Sequence, residues 1–357
     1  MTDALLFYCR PGFEREMAQE AMAAAAEAGI EGFVKAKPDS GYAAFQAHQA
    51  GAVETLATGI AFDDLIFARQ VVRNAVLVSD LPVGDRIGPL VAAARAQGMR
   101  FQGFVVETPD TNDGKALSAL IRPLMPHLER ALANAGLVFD EARSPDRLHL
   151  FFVGGTACYV GVSALANSSP WPMGIPRLRM PGGAPSRSTL KLAEAILVFL
   201  GPEEAAKRLT PGMSAVDLGA SPGGWTWQLT QRHLRVTAVD NGPMDPALLD
   251  TGQVKHRRED GFKYRPPEPV DWMVCDMVEQ PSRIAELAAR WIRDGWCREA
   301  IFNLKLPMKK RWEEVQSCRE RIDTTLGGVE ATLRVRQLYH DREEVTAHLA
   351  VEKPARS

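Results

Sequence analysis

Ala215-Val216-Asp217-Leu218-Gly219-Ala220-Ser221-Pro222-Gly223-Gly224-Trp225-Thr226 is the stretch whose reading decides the fold. A short apolar run reads as a buried strand, a turn rich in Gly and Pro follows, and Thr226-Trp227-Gln228-Leu229-Thr230 leaves on a helical pattern. Strand, glycine turn and helix in that order build a nucleotide-type cofactor site, because glycines let backbone N–H groups approach a ligand closely. The spacing narrows the ligand. A dinucleotide fingerprint needs G-x-G-x-x-G, whereas Gly219 and Gly223 are separated by three residues. A P-loop ends in Gly-Lys-Ser/Thr, whereas this turn ends in Gly223-Gly224-Trp225. An ordinary βα loop with helix-capping glycines is the remaining alternative at this point.

With those two ligands set aside, an acidic strand running into a glycine turn fits a site for S-adenosylmethionine (SAM). Asp217 can balance the positive end of its methionine part while Gly219, Ser221, Gly223 and Gly224 leave room for it. Downstream, residues 234–240 read as a strand ending in Asp240, placed as a ribose-binding carboxylate should be. A third, weaker strand precedes the loop 258–262. A fourth spans 270–276 and ends in Asp276, and a fifth spans 300–305 and ends in Lys305. A charged helix is expected over 308–326, then strands over 331–338 and 345–351. Strands alternating with helices and closed by a hairpin describe a seven-stranded doubly wound sheet, in which ligands bind beyond the carboxyl ends of the strands. Asp217, Asp240, Asp276 and Lys305 all gather at that edge.

Upstream, residues 4–10 read as a strand, 13–28 as a helix ending at Gly29, 33–35 and 42–45 as strands, 52–58 as a helix and 65–72 as a strand. That alternation predicts an α+β, ferredoxin-like subdomain over 1–75. A second subdomain is expected over 76–166, with a helix over 85–97, a strand over 100–107, a turn ending in helix-capping residues at 108–112 and one long helix over 114–134. It closes with a hairpin over 148–166. Residues 148–176 hold no Asp, Glu, Lys or Arg. A membrane span takes about 20 apolar residues, but Gly154-Gly155-Thr156 interrupts this run, so two strands around a turn explain it better. A basic linker over 167–185 and a catalytic domain over 186–357 complete the division. Arg147, Arg177, Arg179, Arg187 and Lys191 occur with Trp171 in a segment free of acids, the footprint of an RNA-contacting strip; a polar inter-domain linker is the plainer alternative.

Composition sets outer bounds. A chain of 357 residues with 46% hydrophobic content and 24% charge is globular and long enough for two or three domains. A net charge of −2 excludes a globally basic nucleic-acid binder, so any RNA surface must be local. The five scattered cysteines form no C-x-x-C pair and no metal spacing, which fits reduced thiols in a cytoplasm and no metal cofactor. Met1-Thr2-Asp3 opens no signal-peptide pattern.

Lys191, Asp276, Lys305 and Glu344 form a K-D-K-E series in chain order, which resembles the catalytic tetrad of FtsJ-type 2′-O-ribose methyltransferases. Glu343 stands beside Glu344, and the Glu-Val pair opening the last strand favours Glu344. Longer stretches are similar to the RlmM-type family of bacterial large-subunit ribosomal RNA cytidine 2′-O-methyltransferases: Pro185–Leu192, Asp240–Met244, Asp250–Val254, Trp272–Glu279, Asn303–Arg311, Arg336–Val345, and near the N-terminus Phe7–Glu14 and Leu65–Gln70. The resemblance covers essentially the whole chain. It implies a C-terminal Rossmann-like, seven-stranded SAM-dependent methyltransferase sheet, preceded by an α+β, THUMP-related RNA-binding region. It implies one cytidine of 23S rRNA near the peptidyl-transferase centre as target, a monomer, and neither DNA nor a membrane as partner. Matched residue by residue, it implies cofactor contacts by Ser188, Ser221, Pro222, Gly223, Gly224, Asp240, Asp260 and Asp276, and Lys305 as proton acceptor. One departure is visible: the turn reads Ala-Ser-Pro-Gly-Gly where the family pattern has Ala-Cys-Pro-Gly-Gly, and Ser and Cys are close in size.

A ribose 2′-OH is a poor nucleophile until its proton is taken up or held, and an in-line approach to the sulfonium methyl supplies much of the rate. A free lysine is a poor base at neutral pH, and lowering its pKa by about three units costs roughly 4 kcal/mol. Lys191 pushes that way, while Asp276 and Glu344 push the other. Lys305 therefore acts either as a neutral base or as a charged group that steers the hydroxyl. Two other function classes stand beside this one: an RNA-binding ribosome-assembly factor that keeps the SAM fold without catalysis, and a Rossmann oxidoreductase, which the missing G-x-G-x-x-G disfavours.

Overall fold

The computed structural model describes residues 3–140 and 144–351, so Met1 and Thr2 of the signal-peptide argument lie outside it. The chain divides into two units, Met1–Pro176 and Arg177–Ser357. The first unit begins with Ala4–Tyr8 (β1), Glu14–Glu27 (α1), Gly32–Ala36 (β2), Tyr42–Ala47 (β3), Ala52–Gly59 (α2) and Gln70–Val78 (β4). This βαββαβ order with strands arranged β2-β3-β1-β4 is ferredoxin-like. The next elements are Ile87–Gln97 (α3), Arg100–Phe101 (β5), Gly103–Glu107 (β6), Asn112–Ile121 (α4), Met125–Asn134 (α5), Val138–Phe139 (β7), Asp146–Gly154 (β8) and Ala157–Ala164 (β9). Because β4 pairs with β1 on one side and β9 on the other, a single sheet continues as β4-β9-β8-β6 through residue 75.

The uncharged run is an antiparallel pair, β8 and β9, around Gly155 and Thr156. Both its faces are covered: Leu148, Leu150 and Phe152 join one core cluster, and Phe151 joins another with Tyr8 and Val72. A strand buried on both sides reads as a continuous apolar run. Thr111 caps α4 by accepting the Gly114 N–H at 2.9 Å, as the expected turn at 108–112 requires.

Three expected elements differ. The strand expected over 65–72 starts only at Gln70; Leu65–Ala68 are buried, but Ile66 and Phe67 donate their N–H groups to the Glu20 carboxylate instead of to a neighbouring strand. The strand expected over 100–107 is two strands in two sheets, split at Gln102, whose N–H turns to the Asp146 carbonyl. The long helix over 114–134 is broken between α4 and α5, because Pro123 and Pro126 lack the N–H a continuous helix needs. The segment 167–185 is divided too, since the first unit extends through Pro176.

The second unit comprises Thr189–Phe199 (α6), Gly201–Arg208 (α7), Ser214–Leu218 (β10), Gly224–Thr230 (α8), Arg235–Val239 (β11), Pro246–Leu249 (α9), Val254–Arg257 (β12), Val270–Cys275 (β13), Pro281–Arg293 (α10), Cys297–Lys305 (β14), Arg311–Leu326 (α11), Ala331–Arg336 (β15) and Glu344–Val351 (β16). Its seven strands lie in the order β12-β11-β10-β13-β14-β16-β15. The first five are mutually parallel, and the closing hairpin runs antiparallel against β14. Helix residues Leu192, Ile196 and Phe199 and the strand residues Val274 and Ile301 share one core cluster, which fixes the strand ends where the polar residues project. Among the described residues, no helix is long and apolar enough to cross a membrane.

Candidate active site

Past β10 the chain turns through Gly219, whose φ of +78° strains any L side chain; a Cβ there would also stand 2.6 Å from Met277 Cγ. The Gly219 N–H donates to the Val239 carbonyl at 2.9 Å. Asp240, just beyond β11, accepts the Ser221 N–H at 3.1 Å on one oxygen and the Gly242 N–H at 2.7 Å on the other. It thereby joins the two turns that form the walls of an open cleft of about 390 Å³. Of the residues expected to contact a cofactor, Gly219, Ser221, Asp240, Asp260 and Asp276 line that cleft. Val239, Asn241, Glu259, Gly261, Phe262, Met277, Val278 and Glu279 line it as well; sequence reasoning did not assign them to the site, and only their position at the end of β11 and in the loops after β11 to β13 marks them.

Asp217, Ser188, Pro222, Gly223 and Gly224 are placed elsewhere. A Cβ on Gly224 would stand 2.2 Å from Ser188 Oγ and 2.4 Å from Ser186 Oγ, and Thr189 Oγ1 donates to the Gly224 carbonyl at 3.1 Å. Gly223, at φ +122°, would drive a Cβ to within 2.2 Å of Leu248 Cδ1, and the Pro222 carbonyl accepts the Asp245 N–H at 2.9 Å. In this structure these glycines are required by the packing of α6 and α9 on the start of α8. Asp217 is buried in β10, accepting from Thr226 Oγ1 at 2.7 Å with one carboxylate oxygen, while Oδ1 is buried without a hydrogen-bond partner. Burial, reinforced by the charges of Asp276 and Asp240 against the Thr226 hydrogen bond, pushes its pKa up to about 7.

At one end of the cleft four charged side chains converge. The β14–β16 ladder sets Lys305 opposite Glu344. The Lys305 ammonium contacts Asp276 Oδ1 and lies 3.9 Å from Glu344 Oε1; the Lys191 ammonium contacts Glu344 Oε1 and lies 3.7 Å from Asp276 Oδ2. Two cations alternate with two carboxylates, so the cluster carries no net charge. Burial disfavours the Lys191 ammonium, yet Asp276 and Glu344 outweigh it and hold its pKa above the ordinary lysine value. Glu343 points outward and pairs with Arg311.

Behind this ring lies a polar chain that the sequence does not announce. Asn303 Nδ2 donates to Asp276 Oδ1 at 2.8 Å, and Thr346 Oγ1 donates to Asn303 Oδ1 at 2.8 Å. Thr346 Oγ1 also lies 3.0 Å from the Asp341 carboxyl, but a hydroxyl has only one proton to give. Burial pushes Asp341 well above the usual carboxylate range, against the Leu338 N–H that it accepts. Thr346 thus stands between Asp341 and Asn303, and Asn303 carries the chain on to Asp276. Asn303 and Thr346 are neutral side chains inside apolar strands; their alternation with Lys305 and Glu344 on the same strand face is the one local signal that could have found them.

Family models match the chain in three parts: an RlmM ferredoxin-like domain at residues 1–72, the N-terminal domain of ribosomal RNA large subunit methyltransferase M at 85–164, and an FtsJ-like methyltransferase at 184–307. Among curated proteins, the ribosomal RNA large subunit methyltransferase M of Methylococcus capsulatus is 54% identical over 97% of each chain. That of Cellvibrio japonicus is 52% identical over 97% of this chain and 99% of its own. Among solved structures, TrmN from Thermus thermophilus is similar at 16% identity and a TM-score of 0.33, over 98% of this chain and 99% of its own.

Proposed function

The chain belongs to the ribosomal RNA large subunit methyltransferase M family, and on that premise we propose that it transfers the SAM methyl group to the ribose 2′-OH of a cytidine in 23S rRNA, as a cytoplasmic monomer. The observation that carries this reading is the Lys191-Asp276-Lys305-Glu344 cluster, which shares Asp276 with the cleft. Asp240, Glu259, Asp260, Asp276 and Glu279 line the cleft and, among the described residues, no Lys or Arg does. Such a wall suits a ligand carrying sulfonium and ammonium charge and opposes a pyrophosphate, which weighs against a dinucleotide. The two Asp240 oxygens each accept one backbone N–H, and about four lone-pair sites on a carboxylate leave two for a ribose diol.

SAM, when bound, supplies the electrophilic methyl group. The protein's part is to hold the 2′-oxygen in line with it and to take the proton. As the O–C bond forms and the C–S bond breaks, the hydroxyl proton passes to Lys305 Nζ. Lys305 must then enter the step as a neutral amine. The chain from Asp341 to Asn303 keeps Asp276 in place.

Lys305→Ala should fold and bind SAM and RNA as the wild type does, while methyl transfer collapses. Lys305→Arg should fail as well, because guanidinium cannot accept a proton; partial activity would make Lys305 an orienting cation instead. Mass mapping of an RNA carrying 2′-deoxycytidine at the target supplies the second arm, since that substrate lacks the acceptor. If it still gains a methyl group, the acceptor is a base atom. A wild-type protein that binds 23S rRNA but transfers nothing would be the non-catalytic assembly factor.

A further inference from the structure

Among the large apolar side chains exposed by the described residues, only Val278 and Met308 reach 90% exposure, and both stand next to the tetrad, Val278 also lining the cleft. Val278 lies two residues past Asp276 and Met308 three past Lys305, on the loops that leave the adjacent parallel strands β13 and β14. Side chains so placed gain almost nothing from folding; their apolar surface counts only when something covers it. What must come to this place, if the ribose 2′-O reading holds, is a nucleotide. Its 2′-oxygen has to stand at Lys305, and its base is attached to the neighbouring ribose carbon, so the base arrives beside these two loops. A nucleobase offers apolar faces and a polar edge, and a flexible thioether adapts to such a face. Lys309 and Lys310, exposed directly after Met308, put positive charge where flanking phosphates would lie, while the acidic cleft wall opposes them.

We propose that Val278 and Met308 form the apolar contact surface for the nucleobase of the acceptor nucleotide, drawn out of its stack to reach Lys305. The pair sets the position of the base, and through it the line between the 2′-oxygen and the methyl group. Neither residue takes part in the chemical step.

The test uses the full chain with Met308→Ser, because Val278 also lines the cleft. Since Met308 is exposed and does not line the cleft, melting temperature and SAM affinity should stay at wild-type values. The kcat/KM for RNA should fall about tenfold or more, the loss expected when one apolar contact of this size is removed. Met308→Leu should keep it near the wild-type value. A 23S rRNA fragment carrying 2-aminopurine at the acceptor position should brighten on binding wild-type protein and not on binding the serine variant. Wild-type kcat/KM in the serine variant, equal brightening in both proteins, or a fall in SAM affinity would each overturn the assignment. The 2′-deoxy substrate keeps the two readings apart: methylation there removes the 2′-O reading, while the fluorescence arm still reports whether these side chains hold the base.

Discussion

Asp217 shows how much one residue in the centre of a parallel sheet can cost. Its raised pKa, from 3.8 to about 7, means that the folded protein holds a proton which the unfolded chain releases between those two values. The folded state therefore binds more protons in this window, and the contribution of Asp217 is fully present below about pH 4 and is lost as pH rises through about 7. A shift of about three units corresponds to roughly 4 kcal/mol. Asp217→Asn should remove that slope: denaturant unfolding of the ligand-free variant, compared with wild type at pH 4 and pH 8, should show a stability advantage only at the higher pH. Equal pH slopes in the two proteins would mean that Asp217 stays ionised throughout. If its unpartnered oxygen instead serves a cationic ligand, the same variant loses SAM affinity. The acid itself was legible, as were Asp240, Asp276 and Lys305, because a charged residue at the end of an apolar strand stands out. The choice between Glu343 and Glu344 needed the register of β16 on β14. Asn303 and Asp341 acquire their roles only from neighbours distant in the sequence.

At the scale of elements, buried glutamates on helices replace regular pairing. Glu14 of α1 accepts the N–H groups of Gly12, Asp39 and Gly41; Glu20 accepts those of Ile66 and Phe67; Glu194 of α6 accepts those of Tyr339 and His340. Each fixes a turn that carries buried or functional residues. Truncating Glu20 to Ala would leave two buried N–H groups without this acceptor, at about 1–3 kcal/mol each. We expect Glu20→Ala to lower stability by roughly 2–5 kcal/mol, read by thermal unfolding, with Glu20→Gln in between. A variant within about 0.5 kcal/mol of wild type would show that water replaces the carboxylate at these amides. The same device explains why periodicity failed at 65–69: an apolar, buried segment looks like a strand whether its amides meet a neighbouring strand or a glutamate. Gln102 is comparable, since alternation continues across the point where the chain changes sheets. Pro123 and Pro126 are different, being local breakers that the helical spacing around them outweighed.

At the scale of the whole molecule, the question is how a protein of net charge −2 handles a polyanion. Its positive charge must be concentrated, and the segment without acids between Arg147 and Lys191 is where the sequence concentrates it. The structure sorts that segment. Arg147 and Trp171 belong to the first unit and are partly buried, whereas Arg177, Arg179 and Arg187 are exposed in the second. Lys191 is spent on Glu344 and Asp276 and leaves the candidate RNA surface altogether. Arg177 also stands 5.9 Å from the Tyr339 ring centroid, an exposed guanidinium held over an aromatic face. Phosphate contacts release counterions, so each contributes a slope of roughly 0.7 to 0.9 in the logarithm of affinity against the logarithm of salt. Reversing Arg177 and Arg179 to Glu should therefore weaken RNA binding and flatten that slope by roughly 1.5 if both arginines meet phosphates. SAM affinity should hold, because neither arginine lines the cleft. Filter binding of 23S rRNA across a salt series, with calorimetry for SAM alongside, reads both quantities. An unchanged RNA slope would reduce the acid-free segment to a connection between the two units, and the positive surface would then have to be sought at Lys309 and Lys310.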